Sequence, residues 1–411
     1  MLRGDDLVNL IQSRTSLEKV IDGLLPEIVE VRRDIHQHPE LACQEHRTSE
    51  KVASWLATND GISVKRIANS TGLVGLLNEK SPGRTVALRA DMDALPIIEN
   101  TGASYASVER GRAHSCGHDG HTAVLMGTAK VLSKLRSELH GKVKFVFQPA
   151  EESGSTEGAS RMIKEGVLND PRVDAIFALH SWPALNAGEV GVRYGVMMAN
   201  TDTFKVTLYG RGGHAARPEE AIDPIVMSAK VIESIQTIIS RGTSPLAPAV
   251  ITVGKIEGGS TSNVIPDSVT LLGTVRTLDD GTRTRIFDSL KRVVDSTASM
   301  FRAPTPELEI TKGYPATVNN DKMVSLVERV ARELLEEANV KTITQPTMGG
   351  EDFSYYLQNV PGAMFRLGVA SSNEHQNASL HSARFNFNDD AIRTGILVMT
   401  GIVFEFLNNN I

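Results

Sequence analysis

The side chains able to do chemistry in this chain gather in a few short segments. Cys116 and His118 stand two apart in Ser115-Cys116-Gly117-His118-Asp119-Gly120-His121. In an extended loop both would face one point, with Gly117 relieving the crowding. A thiolate beside an imidazole suits zinc, cobalt, nickel or manganese. Taken alone, the pair fits equally well a buried thiol next to an exposed histidine. Glu151 and Glu152 are adjacent, and on an extended segment they would point opposite ways, so that one binds metal while the other faces a substrate as proton carrier. A lone Glu-Glu pair is more often a solvated turn, but this one follows the apolar run 143–147 and Pro149, an awkward place to put charge for solubility. His180 closes the apolar run 175–179 and fits a satisfied core histidine as well as a ligand. His381, in Ser379-Leu380-His381-Ser382, says little by itself. His36, His38, His46, His114, His121, His140 and His375 have no comparable placement and stay unassigned.

The elements around these segments explain how they could meet. Short apolar strands at 85–89, 143–147 and 173–179 run towards Asp91 and Asp93, towards Glu151 and Glu152, and towards His180. Helical periodicity covers 17–35, ended by Pro39, then 48–56, and 122–135 between the first two strands. Strands alternating with helices predict a mostly parallel sheet with helices on both faces, and in such sheets sites form at the carboxyl ends of strands. Three strand ends delivering carboxylates and imidazole to one edge raise the metal reading well above its rivals. Near residue 200 the pattern changes. A strand at 203–209, an amphipathic helix at 218–240, strands at 250–256 and 269–275, a helix at 282–300 and a strand at 308–311 spell β-α-β-β-α-β, the ferredoxin-like split βαβ unit. One face of its sheet would stay open for docking or dimerisation. The α/β style then resumes with a helix at 324–338, a strand at 363–367 and a helix at 389–407. The expected architecture is an α/β domain formed by residues 1–199 and 313–411 and interrupted by an α+β satellite at 200–312.

Composition agrees with this and excludes other classes. A length of 411 residues exceeds one ordinary core, so two domains are expected. Hydrophobic content of 41% and charged content of 22% suit a folded soluble chain. A net charge of −6 argues against a nucleic-acid binder. Residues 1–10 lack a basic segment followed by an apolar run, and 396–407 is too short to span a bilayer, so neither a secretory signal nor membrane insertion is expected. Two cysteines, Cys43 and Cys116, make no disulfide framework and fit a reducing cytoplasm.

Several motifs in order resemble the N-acyl-amino-acid amidohydrolase family, which includes hippurate hydrolases and indoleacetyl-amino-acid hydrolases and belongs with the carboxypeptidase G and aminoacylase metallopeptidases. They are Arg33-Asp34-Ile35-His36-Gln37-His38-Pro39-Glu40, Arg89-Ala90-Asp91-Met92-Asp93-Ala94-Leu95-Pro96, Cys116-Gly117-His118-Asp119-Gly120-His121 and Gln148-Pro149-Ala150-Glu151-Glu152. Gly210-Arg211-Gly212-Gly213-His214-Ala215-Ala216-Arg217-Pro218, Asn263-Val264-Ile265-Pro266 and Gly349-Gly350-Glu351-Asp352-Phe353 continue the series over essentially the whole chain. The resemblance implies a zinc-peptidase-like catalytic domain holding two divalent ions (Zn, Mn, Co or Ni), with a satellite domain that commonly makes a homodimer. Carried over position by position, it implies Cys116, His118, Glu152, His180 and His381 as metal ligands, Glu151 as general base and Asp93 as the carboxylate supporting a ligand. It further implies that His214 reaches a partner subunit's site to polarise the scissile carbonyl, and that Asn263 and Arg276 hold the substrate carboxylate. Asp91 stands where many relatives of the wider superfamily place a metal-binding histidine, which marks the hippurate-hydrolase branch.

The implied reaction is hydrolysis of the amide bond of an N-acyl amino acid or similar small conjugate. A water bridging the two ions has its pKa lowered towards roughly 7. Glu151 takes its proton and later delivers it to the leaving nitrogen. The same site also admits other small C–N substrates, such as a dipeptide, an acyl-diaminopimelate or an aryl amine. A metal-binding homologue without catalysis is the alternative of another class, and the presence of Glu151 beside every implied ligand speaks against it. A redox role for Cys116 lacks a nearby partner cysteine.

Overall fold

The structure is a computed structural model that describes residues 4–154, 157–371 and 377–408, so His375 and residues 1–3 lie outside the described residues. Its larger sheet has eight strands in the order Ile62–Arg66, Leu73–Leu77, Lys142–Gln148, Thr85–Asp91, Ala175–Asn186, Gly362–Ala370, Val190–Val192, Val340–Thr342. The central strands Lys142–Gln148, Thr85–Asp91, Ala175–Asn186 and Gly362–Ala370 are mutually parallel, with Val86 opposite both Val143 and Ala175, and Ala363 opposite Phe177. Antiparallel pairing enters through Ile62–Arg66, Leu73–Leu77 and Val190–Val192. Thr85–Asp91 and Gly362–Ala370 are buried at every residue, as parallel strands covered on both faces must be. Helices Gly4–Gln37, His118–Lys134 and Asp390–Asn408 pack on one another, while Asp321–Leu334 packs on Asp390–Asn408 and His46–Ala57 on the Ile62–Arg66 end of the sheet. The core they enclose includes Ile28, Leu88, Val124, Phe177, Phe365 and Ile396.

The chain divides into two compact units. The larger comprises residues 1–195, 318–344 and 355–411, and the smaller comprises Val196–Thr317 with Gln345–Ser354. The smaller unit therefore takes Gly349-Gly350-Glu351-Asp352-Phe353 out of what the sequence assigns to the larger one. The cause is backbone pairing, since the Ala199 amide donates to Gly349 O at 3.0 Å and Met198 bridges Thr347. The smaller unit's sheet runs Ala249–Glu257, Ser268–Thr277, Asn200–Tyr209, Glu307–Lys312, all antiparallel, with helices Pro224–Ser240 and Asp280–Met300 supplying the β-α-β-β-α-β order. Burial alternates along Asn200–Tyr209 and Ser268–Thr277, and the inward residues form a second core with Met227, Val231, Ile286 and Leu290.

Local chemistry explains where elements depart from the sequence pattern. The helix expected at 218–240 is split, with a 3-10 turn at Pro218–Glu220 and the α-helix starting at Pro224. The Asp223 carboxylate accepts the Ile225 and Val226 amides, and proline suits the first helical position. The first helix runs Gly4–Gln37, through the exposed Pro26, well beyond the stretch read from periodicity. Strand Ile62–Arg66 alternates over only four residues, and Leu73–Leu77 is apolar and buried throughout, so neither is read as a strand from sequence. No described helix is long and apolar enough to cross a membrane.

Candidate active site

Because Thr85–Asp91, Lys142–Gln148 and Ala175–Asn186 are parallel, their carboxyl ends fall on one edge of the larger sheet. Between the first two, the chain enters helix His118–Lys134 through Gly117, whose φ of +86° is left-handed. A Cβ there would lie 2.8 Å from Ser181 Oγ, so only glycine fits. Ser181 Oγ donates to Cys116 O at 2.6 Å and fixes the junction to the neighbouring strand. The segment is thus a loop-to-helix junction rather than an extended loop, and His118 is the helix's first residue. His180 lies within its strand, which continues to Asn186.

Hydrogen bonds aim the reactive atoms. His118 Nδ1 donates to Asp93 O at 2.9 Å and His180 Nδ1 to Ser181 O at 2.9 Å, which leaves the Nε2 lone pair of each ring to face inward. His180 Nε2 is 3.6 Å from Cys116 Sγ. Glu151 and Glu152 occupy a 3-10 turn rather than an extended segment, entered through the left-handed Ala150 at φ 58°. Their amides donate to the two oxygens of Asp93, at 3.0 and 2.9 Å. Glu152 Oε1 lies 3.0 Å from His381 Nε2 and 3.9 Å from His118 Nε2. His381 is itself held by its amide donating to Ser115 O at 2.8 Å. Among the sets whose donor atoms lie within 4.8 Å of one another are Cys116, His118 and His180, then Cys116, Glu152 and His381, then His118, Glu151 and Glu152. Shared members join the sets into one cluster.

Two atoms in that cluster test whether it suits cations. His118 Nε2 is buried without a hydrogen bond, and the contact of Glu152 Oε1 on the cluster side is the 3.0 Å approach of His381 Nε2. Leaving a buried polar atom such as His118 Nε2 unpaired in the interior is costly. A cation between the two atoms removes that cost, and thiolate, imidazole and carboxylate are the donors that borderline divalent metals take. Burial pushes the Cys116 thiol well up and the His180 imidazole well down, the latter keeping its ring uncharged. Burial opposes a proton on His118 as well, but Asp91 and Cys116 hold it well above the usual histidine range. Cation binding therefore competes with protons at Cys116 and His118.

Several residues around the cluster were given no role by the sequence. His121 Nδ1 donates to Asp91 Oδ1 at 2.6 Å, and its Nε2 accepts the Ser181 amide at 2.8 Å, so both ring nitrogens are spent on structure. Asp91 also accepts from Arg89 Nη1 at 2.6 Å, and Arg89 Nε donates to Gln148 at 2.9 Å. The i, i+3 spacing of His118 and His121 on one helix was the available signal. Behind this layer Asp119 meets Arg32 Nε at 2.7 Å and His36 Nδ1 at 2.8 Å, all three wholly or almost wholly buried.

In the smaller unit, His214 and Asn263 come together. Gly213–His214 pairs with Val264–Ile265, Val264 lies opposite His214, and the Ala215 amide donates to Asn263 O at 3.1 Å. Both residues are exposed. Arg276 sits apart from that ribbon on Ser268–Thr277, opposite Val250 and Thr201.

The chain matches the model of peptidase family M20/M25/M40 over residues 87–405. It is 37% identical over 390 residues to the N-acetyl-L-cysteine deacetylase of Bacillus subtilis, covering 95% of this chain and 90% of that protein. It is likewise 37% identical over 382 residues to thermostable carboxypeptidase 1 of Saccharolobus solfataricus, covering 93% of this chain and 95% of that protein. The crystal structure of a Bacillus subtilis protein described as a dinuclear metal binding peptidase of the M20 family superposes with a TM-score of 0.82 at 31% identity, over 95% of this chain and 99% of the other. A cation-ready cluster at the strand ends, a family model spanning most of the sequence and relatives aligned almost end to end agree that this chain belongs to peptidase family M20/M25/M40 and is a metal-dependent hydrolase of amide bonds.

Proposed function

We propose that the enzyme cleaves the amide bond of N-acyl amino acids, with Cys116, His118, Glu152, His180 and His381 holding two divalent cations and Glu151 moving the proton. The observation that carries this is the convergence of those donors with Glu151 in one cluster, buried at Cys116, His118, His180 and Glu151 and open to solvent at His381. The N-acetyl-L-cysteine deacetylase among its relatives supports the substrate class. When bound, the cations polarise the scissile carbonyl and lower the pKa of water towards about 7. Glu151 takes the proton of the attacking water and returns it to the departing nitrogen. Asp93 keeps that carboxylate in place by accepting the Glu151 and Glu152 amides. Donors of one sulfur, three imidazoles and a carboxylate suit zinc, manganese, cobalt or nickel.

His214 would donate to the developing oxyanion, and Asn263 beside it, with Arg276, would bind the substrate carboxylate. The satellite unit would form a homodimer. Its edge strand Ala249–Glu257 and the helix Pro224–Ser240 carry the exposed Val250, Ile256, Ile225 and Val226, apolar surface that a second copy would cover. Free Cys43 and Cys116 suit a reducing, cytoplasmic setting.

The decisive experiment is turnover of the remetallated protein on N-acyl amino acids, dipeptides, an acyl-diaminopimelate and aryl-amine conjugates, with metal stoichiometry measured alongside. The expected result is two cations per chain and the highest kcat/KM on an N-acyl amino acid. Higher efficiency on dipeptides would move the assignment to peptidase, and bound metal without any turnover would sink the catalytic reading.

A further inference from the structure

Glu45 is fully buried and lies outside every segment assigned so far. Its Oε1 accepts the Cys43 amide at 3.0 Å and the Ala150 amide at 2.9 Å, and its Oε2 accepts Thr71 Oγ1 at 2.6 Å. The Ala150 bond matters because that residue takes a left-handed φ of 58°, which a side-chain-bearing residue adopts only at a cost. Three consecutive amides, those of Ala150, Glu151 and Glu152, are thereby drawn into two carboxylates, Glu45 and Asp93. Successive backbone amides in such a turn form a concavity for anions, and here the chain fills it itself.

We propose that Glu45 is a positioning residue, one that holds the Ala150 turn so that Glu151 is presented to the reacting water. The inference rests on Glu151 being the base. A tie that served only folding would not place a second buried carboxylate beside Asp93. The strain of that choice is visible, since burial and the neighbouring Asp93 push the Glu45 carboxyl up to about 7. With Glu45 half-protonated near neutrality, an amide side chain is a close substitute. In Glu45→Gln the carbonyl oxygen keeps the Cys43 and Ala150 amides while the NH2 group turns its donors to the Thr71 hydroxyl.

The test compares Glu45→Ala, Glu45→Gln and Thr71→Val with Glu151→Gln, all in the metal-replenished full-length enzyme. It reads kcat and KM separately, thermal melting, and hydrogen exchange of the peptide spanning 148–153. Glu45→Ala is expected to lose about 10²-fold in kcat with little change in KM, the loss that small misplacement of a reacting group brings. Its melt should stay cooperative while exchange at 150–152 accelerates. Glu45→Gln should recover most of the kcat and the slow exchange, with Thr71→Val in between. Wild-type kcat and wild-type exchange in Glu45→Ala, beside an inactive Glu151→Gln, overturn the role of Glu45. If Glu151→Gln retains turnover, the base assignment falls instead, and exchange alone decides whether Glu45 holds the turn. Should Glu45→Ala fail to fold, an unchanged kcat and exchange rate in Thr71→Val overturns the proposal.

Discussion

Polar groups at the strand ends of the larger unit and polar groups on the ribbon of the smaller unit live under opposite conditions. Asp91, Asp93, His118, Asp119 and His121 are at most 1% exposed, and each is oriented by neighbours on other elements. His214 and Asn263 stand in solvent, and among the described residues the one bond to the His214 ring is local, from the Ala216 amide to Nδ1 at 3.0 Å. Burying charge is tolerated only where neighbours hold it, so the first region is over-determined by the chain itself, apart from buried atoms such as His118 Nε2 that face the proposed cations. Water satisfies the second, which leaves its residues available to whatever arrives. Substitutions in the first region should therefore disturb fold and chemistry together, and those in the second chemistry alone.

The largest break expected is at Glu151. Glu151→Gln removes the proton acceptor while preserving shape, and kcat should fall by about 10²–10⁴-fold, the usual worth of a positioned base, with metal content and melting unchanged. Retained turnover would refute the role. Asp119 comes next. Its pairing with Arg32 is wholly buried, and Asp119→Asn leaves the guanidinium only the longer contact to Asp389, at 3.3 Å, at a cost of about 3 kcal/mol in urea unfolding. The acid limb should change too. Burial would raise the Asp119 carboxyl, but Arg32 and His36 hold it well below the usual carboxylate range. A lowered folded-state pKa gives stability that is complete above the unfolded value of about 3.9 and is lost as pH falls below it. The Asn variant should show a shallower loss of stability below that pH; an identical slope would show that Asp119 is not held ionised.

The same contrast explains what could be read from sequence. Apolar runs ending in Asp91, Glu151 and His180 disclosed the parallel sheet and its functional edge, because a buried parallel strand must be apolar until it reaches the site. Cys116, His118, Glu152 and His381 also meet, yet the geometry that joins them was hidden. Gly117 and Ala150 take left-handed backbone, and Gly120 lets Phe387 approach so closely that a Cβ would lie 2.4 Å from its ring. Residues such as Glu45, His121 and Arg32 escaped because their meaning is a partner far away in the chain. Glu45 meets Ala150 and Arg32 meets Asp119, pairings that no local periodicity records. In the smaller unit the split βαβ order was legible from alternation and helix length, while the pull of Gly349 onto Ala199 was not.

Smaller effects sharpen the comparison further. His121→Ala removes the ring that fixes Asp91 and the Ser181 amide and packs against His118 and His180, while every proposed ligand stays in the chain, and metal affinity should fall about 10–100-fold in a chelator competition. Unchanged affinity would reduce His121 to packing. The least disturbance of the fold is expected from His214→Ala. An exposed ring with one local bond contributes little, so unfolding free energy should stay within about 0.5 kcal/mol of the parent. Turnover should nonetheless fall by about 10²–10³-fold if the imidazole supports the oxyanion. A His214→Ala protein of unchanged melting and unchanged kcat would remove His214 from the reaction. One that melts several degrees lower would mean that the ribbon, too, depends on buried partners, and the division between an over-determined site and an available one would no longer hold.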